Sequence, residues 1–194
     1  MTAIRLSVFV LFVTLALAQQ SSVASSAEPH QGPAEPSLPV VYYKACPFEG
    51  CTFRKWTVRR TSTMYSSWRG NRTKLVMLKA GEGVTGLTGV YIIRKPDRYL
   101  VKQTSTAFSL KTGDVILQYA EWGEGAADLW ANGHWYKNFG SGVTDDDNRL
   151  VLDENSFKLV AHGIKEWWVQ VKRVDGQTGW VLVEDNFDGM DSLG

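Results

Sequence analysis

Residues 166–183, EWWVQVKRVDGQTGWVLV, set Asp175-Gly176 between two runs of strand-forming residues. Asp-Gly in that position predicts a β-hairpin, because a two-residue type I′ turn needs φ > 0 at both central positions. A turn centred there puts Val174 opposite Gln177, Val171 opposite Trp180, Val169 opposite Leu182 and Trp168 opposite Val183. Side chains alternate across a strand. One face then carries Trp167, Val169, Val171, Trp180 and Leu182, and is predicted to be core. The other carries Trp168, Gln170, Lys172, Gly179, Val181 and Val183. A chain that ends this way is committed to antiparallel sheet, and the rest of it must supply strands for the hairpin to join.

The composition agrees. Eight Trp, seven Tyr and eight Phe accompany 18 Gly in 194 residues, which favours sheet over helix. No stretch sustains a 3.6-residue apolar period, and short strand patterns separated by turn signals point to an all-β small barrel or sandwich. Lys and Arg number 21 against 20 Asp and Glu. That balance gives no electrostatic reason to expect nucleic acid or an anionic membrane as partner.

The N-terminus reads as a targeting segment. Arg5 is a short positive region, residues 6–15 are almost wholly apolar, and Ala16-Leu17-Ala18 supplies the small-x-small cleavage pattern. Residues 1–18 are thus predicted to be a cleaved signal peptide; an uncleaved anchor would want an apolar run of about 20 residues. Residues 19–39 hold four prolines and little to bury, and read as a disordered linker. The expected location is extracytoplasmic, periplasmic or secreted, with no stable membrane insertion after cleavage. In an oxidising compartment, Cys46 and Cys51 in Cys-Pro-Phe-Glu-Gly-Cys suggest a structural disulfide closing a turn. Zinc needs about four ligands, and His30, His134 and His162 do not stand at ligand spacing. A redox pair would more often be Cys-x-x-Cys beside a βαβ pattern.

Along the folded part, residues 40–43, 53–60, 74–79, 84–93, 97–101, 115–119, 134–139, 149–152 and 157–160 show strand patterns. Residues 74–79 place apolar side chains on both faces, predicting burial on both sides. Gly86 and Gly89 interrupt the 84–93 strand and predict a bulge or a close backbone approach. Residues 61–73 read as a long loop, 126–130 as one helical turn, Asn132-Gly133 as a further turn, and 140–148 as a Gly- and Asp-rich loop. Residues 188–194 read as a flexible tail.

Thr178-Gly179-Trp180-Val181 after a Trp-rich strand and an Asp-Gly turn resembles the end of a bacterial SH3-like (SH3b-type) module. Val58-Arg59 with Ser62-Thr63 resembles its opening, and residues 78–84, LKAGEGV, resemble its turn into the central strand. The two matched stretches stand roughly seventy residues apart, where hairpin loops are usually about 2–5 residues. The resemblance implies an SH3-like barrel over 40–187 enlarged by an insertion at about 92–164. Echoes within the insertion (residues 110–115 of 78–84; residues 133–137 of 166–168) leave open two intertwined SH3-like units. The resemblance also implies binding of a cell-wall glycopeptide or an envelope protein.

Chemistry is thinly marked. No nucleophile elbow or metal pattern surrounds His134 or His162. An EF-hand loop from Asp145 would need an oxygen ligand and a Gly where Arg149 and Leu150 stand. A looser calcium site in the acidic loop 145–154 stays open, as does a pair of glycosidase carboxylates there. Asn71-Arg72-Thr73 matches an N-glycosylation acceptor. Aromatic side chains are the better lead, because flat rigid apolar faces with a polar tip build peptide and glycan grooves. Tyr65, Trp68, Trp122, Trp130 and Trp168 are the candidates, with Trp168 the most exposed of them on the predicted register. The expectation is a non-catalytic binding module without metal or cofactor. Alternatives are an accessory or inhibitory subunit of an envelope enzyme, and a small hydrolase.

Overall fold

In a computed structural model, strand Gly83–Lys95 is the longest element, and the first sheet is assembled on its two edges. The structure describes residues 34–105, 109–123, 126–139 and 154–193. The predicted signal peptide, most of the linker, the 149–152 strand and the acidic loop up to residue 153 lie outside them. The described strands, in chain order, are β1 (Val40–Tyr43), β2 (Lys55–Val58), β3 (Ser62–Tyr65), β4 (Lys74–Leu78) and β5 (Gly83–Lys95). They continue with β6 (Asp97–Val101), β7 (Val115–Gly123), β8 (Ala126–Ala131), β9 (His134–Phe139) and β10 (Phe157–Ala161). The last are β11 (Ile164–Arg173), β12 (Thr178–Leu182) and β13 (Phe187–Asp188). The protein is all-β, as expected, and its larger sheet is curled into a half-barrel. Among the described residues no helix is long and apolar enough to cross a membrane.

The larger sheet runs β13-β2-β5-β11-β12-β3-β4, with β1 also on β5. β11 pairs one edge of β5 along its length, and β2 and β1 share the other. Leu87 is skipped between Gln170↔Thr88 and Val171↔Gly86, a β-bulge next to one of the two glycines that predict it. Both glycines also admit a close neighbour: a Cβ on Gly86 would stand 2.8 Å from the Trp56 ring, and one on Gly89 2.2 Å from the Ala45 carbonyl oxygen.

The terminal hairpin forms, but one residue out of the predicted register. Lys172 pairs with Thr178, Val171 with Gly179, Gln170 with Trp180, Val169 with Val181 and Trp168 with Leu182. The connection is a three-residue loop, Val174-Asp175-Gly176, closed by Arg173 N–H to Gln177 O (2.9 Å) and Gly176 N–H to Arg173 O (3.0 Å). Only Gly176 of the Asp-Gly pair takes positive φ (87°), which is the three-residue turn with a glycine bulge rather than type I′. Arg173 donates to both Asp175 Oδ2 (2.5 Å) and Gln177 Oε1 (3.2 Å), so side chains hold the wider loop. A one-residue slip exchanges the faces of a whole strand. The barrel core therefore joins Trp167, Val169 and Val171 to Val181, while Trp180 and Leu182 lie with Trp168 on the other face.

Residues 45–53 plug one side of that core. Cys46 and Cys51 are disulfide-bonded with Cα atoms 5.5 Å apart, as predicted. Phe48 meets Trp167 edge-on at 5.6 Å, and the Trp167 indole N–H donates to Ala45 O (3.0 Å). The C-terminal segment clasps the plug: Thr52 N–H donates to Met190 O (2.9 Å) and Ser192 N–H to Gly50 O (2.8 Å). Phe187 is buried in the core. The flexible tail expected from residue 188 is thus corrected, because its backbone is paired to β2 and to the disulfide loop. Two further expectations change near β4. Residues 62–65 form β3 rather than loop, and Leu75 and Met77 are 40% and 51% exposed because β4 is an edge strand covered on one face.

The second sheet, β10-β6-β7-β8-β9, comprises the described strands between 97 and 161, and they pair only with one another. Residues 126–131 are strand β8, not a helical turn, because β7 and β9 pair with them on either side. The Asn132-Gly133 turn holds, with positive φ at both residues (47° and 80°). Val101, Leu110, Ile116, Leu129 and Phe157 form this sheet's own core. Ile93 of β5 with Leu117 and Tyr119 of β7 forms the cluster joining the two sheets. At the joint, Tyr42 stands edge-on to Trp122 (5.0 Å), whose indole N–H donates to the buried Asp128 (3.2 Å). Burial, with Asp128 alongside, pushes the Tyr42 phenol far above its ordinary value, and burial pushes Tyr119 up to about 12.

Candidate functional site

The exchanged register determines where an aromatic surface can form. Because Trp180 shares the outer face with Trp168, and Tyr65 is the register partner of Trp180, β3, β11 and β12 present three rings on one side of the sheet. Residues 66–73 fold over that side. The loop is stapled at its base by Ser66 N–H to Thr73 O (2.9 Å) and Thr73 N–H to Ser66 Oγ (3.0 Å). Ser67 Oγ accepts from Arg69 N–H (3.0 Å), a local turn that polar side chains of this kind favour.

The loop delivers one indole and two guanidinium groups. Trp68 meets Trp180 at 6.5 Å and Tyr43 at 6.2 Å, both edge-on, and Tyr43 is 63% exposed. Arg69 lies 5.1 Å from the centre of the Trp68 ring. Arg72 lies 4.5 Å from Trp168 and 5.3 Å from Tyr65, which are themselves edge-on at 5.9 Å. Each contact is within the reach of a cation–π attraction, worth about 0.5–1 kcal/mol at an exposed site. Beside Arg72 an open cavity of about 440 Å³ is lined by Arg60, Ser62, Thr63, Tyr65, Trp168 and Glu184, among others. Its base is fixed by Asn186, which donates to Ser62 Oγ (2.7 Å) and Leu182 O (3.1 Å) and accepts from Glu184 N–H (3.0 Å).

Trp168 is 2% exposed, which corrects the expectation that it faces solvent. Val90, Ile92, Tyr65 and Leu182 pack around it, and Arg72 covers it. Its indole N–H donates to Glu166 Oε2 (2.9 Å), and Glu166 is paired with Arg94. Arg94 holds the Glu166 carboxyl below the usual carboxylate range; partial burial opposes this, and the Trp168 hydrogen bond adds to it. A carboxylate whose folded value is lowered contributes stability above its unfolded value, about 4.3 for Glu, and loses it as pH falls through the folded value. Urea denaturation at pH 7 and pH 3 is therefore expected to show a smaller acid loss in Glu166→Gln than in the parent. Equal acid losses would remove Glu166 from the account.

Of the five aromatic candidates, the structure brings Tyr65, Trp68 and Trp168 together. Trp122 belongs to the joint between the sheets, edge-on to Tyr42 and Tyr91, and Trp130 packs against Trp135 at 5.6 Å. Trp180, Tyr43, Arg69 and Arg72 complete the surface and were not among the candidates. Trp180 would follow from the correct register; the arginines depend on how the loop folds. Cys46 and Cys51 carry no free thiol, and His134 and His162 are exposed. Among the described residues no group of three or more His, Cys, Asp or Glu could hold a metal ion. Compared with family models, with curated proteins and with solved structures, the chain shows no match.

Proposed function

We propose that this protein is an extracytoplasmic, non-catalytic SH3-like binding module that holds a cell-wall glycopeptide or an envelope protein against the Tyr43–Trp68–Trp180 surface. The observation that carries the reading is the convergence of these partly exposed rings with Arg69 and Arg72 beside an open cavity. Aromatic faces bring large contact area at little conformational-entropy cost, and a few fixed polar groups orient what they hold. The curled sheet and the Thr178-Gly179-Trp180-Val181 strand support the SH3-like assignment. The signal-peptide pattern of residues 1–18 and the Cys46–Cys51 disulfide support a site outside the cytoplasm.

The test is retention on purified envelope fractions of the parent, Trp68→Ala and Tyr43→Ala, with Leu159→Ala on the second sheet as a remote control. Trp68→Ala is expected to reduce retention by about tenfold, as truncation of an aromatic anchor does when it costs more than 1 kcal/mol. Equal retention of all four proteins, with folding intact, would reject this surface as the binding site.

A further inference from the structure

We infer that the ligand of this surface is an acidic carbohydrate chain, its rings on the Tyr43–Trp68–Trp180 ledge and its carboxylates on Arg69 and Arg72. The inference rests on the binding reading above and narrows it to a ligand class.

The argument begins with how the arginines are used. Arg59 and Arg60 pair with Asp185, Arg94 with Glu166, and Arg173 with Glu82 and Asp175. Arg54 donates to the carbonyls of Gly189 and Asp191. Among the described residues, neither Arg69 nor Arg72 has a carboxylate within ion-pairing distance, as is also true of Arg98, although the Arg72 charge helps hold the Glu166 carboxyl low. Among the described residues, the one side-chain hydrogen bond of the pair is long, Arg72 Nη1 to Arg69 O at 3.4 Å. Both groups are nonetheless placed, each against an indole. A guanidinium has five N–H donors in its plane. Contact with a ring uses none of those donors, and their fork geometry matches a carboxylate.

The surroundings of the two cations select the kind of chain. They are three residues apart in sequence, in a loop closed by its own hydrogen bonds, and each rests against a ring of the same surface. The ledge beside them is built of adjoining rings set edge-on, with centres 6.2 and 6.5 Å apart. A polyuronate offers apolar ring faces and carboxylates in regular repeat, and so meets both features at once. An acidic peptide supplies carboxylates but flat apolar groups only where its sequence happens to place them. A nucleic acid would need a wider basic surface, and the net charge is only +1.

The test is titration of the full chain at low salt, followed by tryptophan fluorescence and calorimetry. The probes are a polygalacturonate, its fully methyl-esterified form, poly-glutamate and a single-stranded oligonucleotide. Polygalacturonate is expected to bind about tenfold or more tighter than its ester, because esterification removes the charge-assisted hydrogen bonds and little else. Arg69→Gln/Arg72→Gln is expected to lower acid binding to the level of the ester, with a native far-ultraviolet dichroism spectrum and a urea midpoint lowered only by the lost cation–π contacts. Arg72→Lys should recover part of the loss. Equal binding of acid and ester, with Trp68→Ala still losing both, would overturn the acidic ligand and leave the aromatic site standing. Tighter binding of poly-glutamate or of the oligonucleotide would overturn the carbohydrate. Binding of none of the four probes, with envelope retention intact and sensitive to Trp68→Ala, would overturn the inference and keep the site.

Discussion

Trp168→Ala is expected to destabilise the fold by about 3–5 kcal/mol, the usual cost of truncating a buried Phe or Trp. The side chain is 2% exposed and sits between β5 and the residues 66–73 loop, in contact with Val90, Ile92, Tyr65 and Leu182. Its loss leaves a cavity whose walls are sheet, which relaxes little. It also removes the ring on which Arg72 rests and the donor that Glu166 accepts. Trp168→Phe keeps an apolar ring and gives up the indole donor, so it should cost clearly less. Urea denaturation of the two variants measures both. A loss below about 1 kcal/mol for the alanine variant would contradict the packing described for this face. The consequence for function is practical: failure of Trp168→Ala to bind a ligand would report loss of structure. Trp68, held by edge contacts at the surface, is the residue that isolates binding.

Gly89→Ala is expected to cost about 3 kcal/mol or more, although it adds one methyl group. The new Cβ would lie 2.2 Å from the Ala45 carbonyl oxygen and 2.6 Å from Trp167 Nε1, in the hydrogen bond that joins them. Neither partner is free to retreat. Ala45 is tied to the same glycine through its own N–H (3.0 Å) and precedes the disulfide, while Trp167 is packed against Trp56 and Phe48. The cost combines overpacking, about 1–3 kcal/mol, with a buried indole donor left without its acceptor. Gly83→Ala is the control: it lies in the same strand, meets nothing within 4 Å and has no positive φ. Equal unfolding midpoints for the two variants would mean that the plug is not seated as described.

These glycines were legible in the sequence because a glycine inside a strand pattern has few reasons to be there. The disulfide was legible from the turn residues between its cysteines and from the compartment. The hairpin was legible as a hairpin and misread in register. Asn132-Gly133 and Asp175-Gly176 carry the same signal, yet only the first takes positive φ at both positions. The difference lies in Arg173, Asp175 and Gln177, whose side chains stabilise a loop one residue wider. A short motif does not encode that competition, and the error carried through to the faces of Trp180, Leu182 and Val181. Local propensity misled at residues 126–131, where Ala and Leu favour helix and two neighbouring strands impose sheet. The candidate site was half legible: Tyr65, Trp68 and Trp168 were named, but Tyr43 and Trp180 were not, and the arginines that give it charge depend on a loop closed by Ser66 and Thr73.

The join between the two sheets carries a kinetic meaning. β5 and β11 form an antiparallel ribbon, and Asp97 and Gly163 mark where it continues into β6 and β10, which pair in turn. Gly163 N–H and the Lys165 ammonium both bond the Asp97 carboxylate there, at 2.6 and 2.5 Å. The smaller sheet therefore leaves the larger one and returns to it through adjacent strands. Pairing β5 with β11 in an open chain would close a loop of roughly seventy residues, while β6 to β9 pair each with the next in sequence. If that meander forms first, only the return of β10 to β6 still separates the ends of the loop. The entropy of closing it, about 2–3 kcal/mol relative to a loop of a few residues, is then met in part by short-range contacts. A segment that separates the two halves of the larger sheet in sequence becomes the means of bringing them together in time.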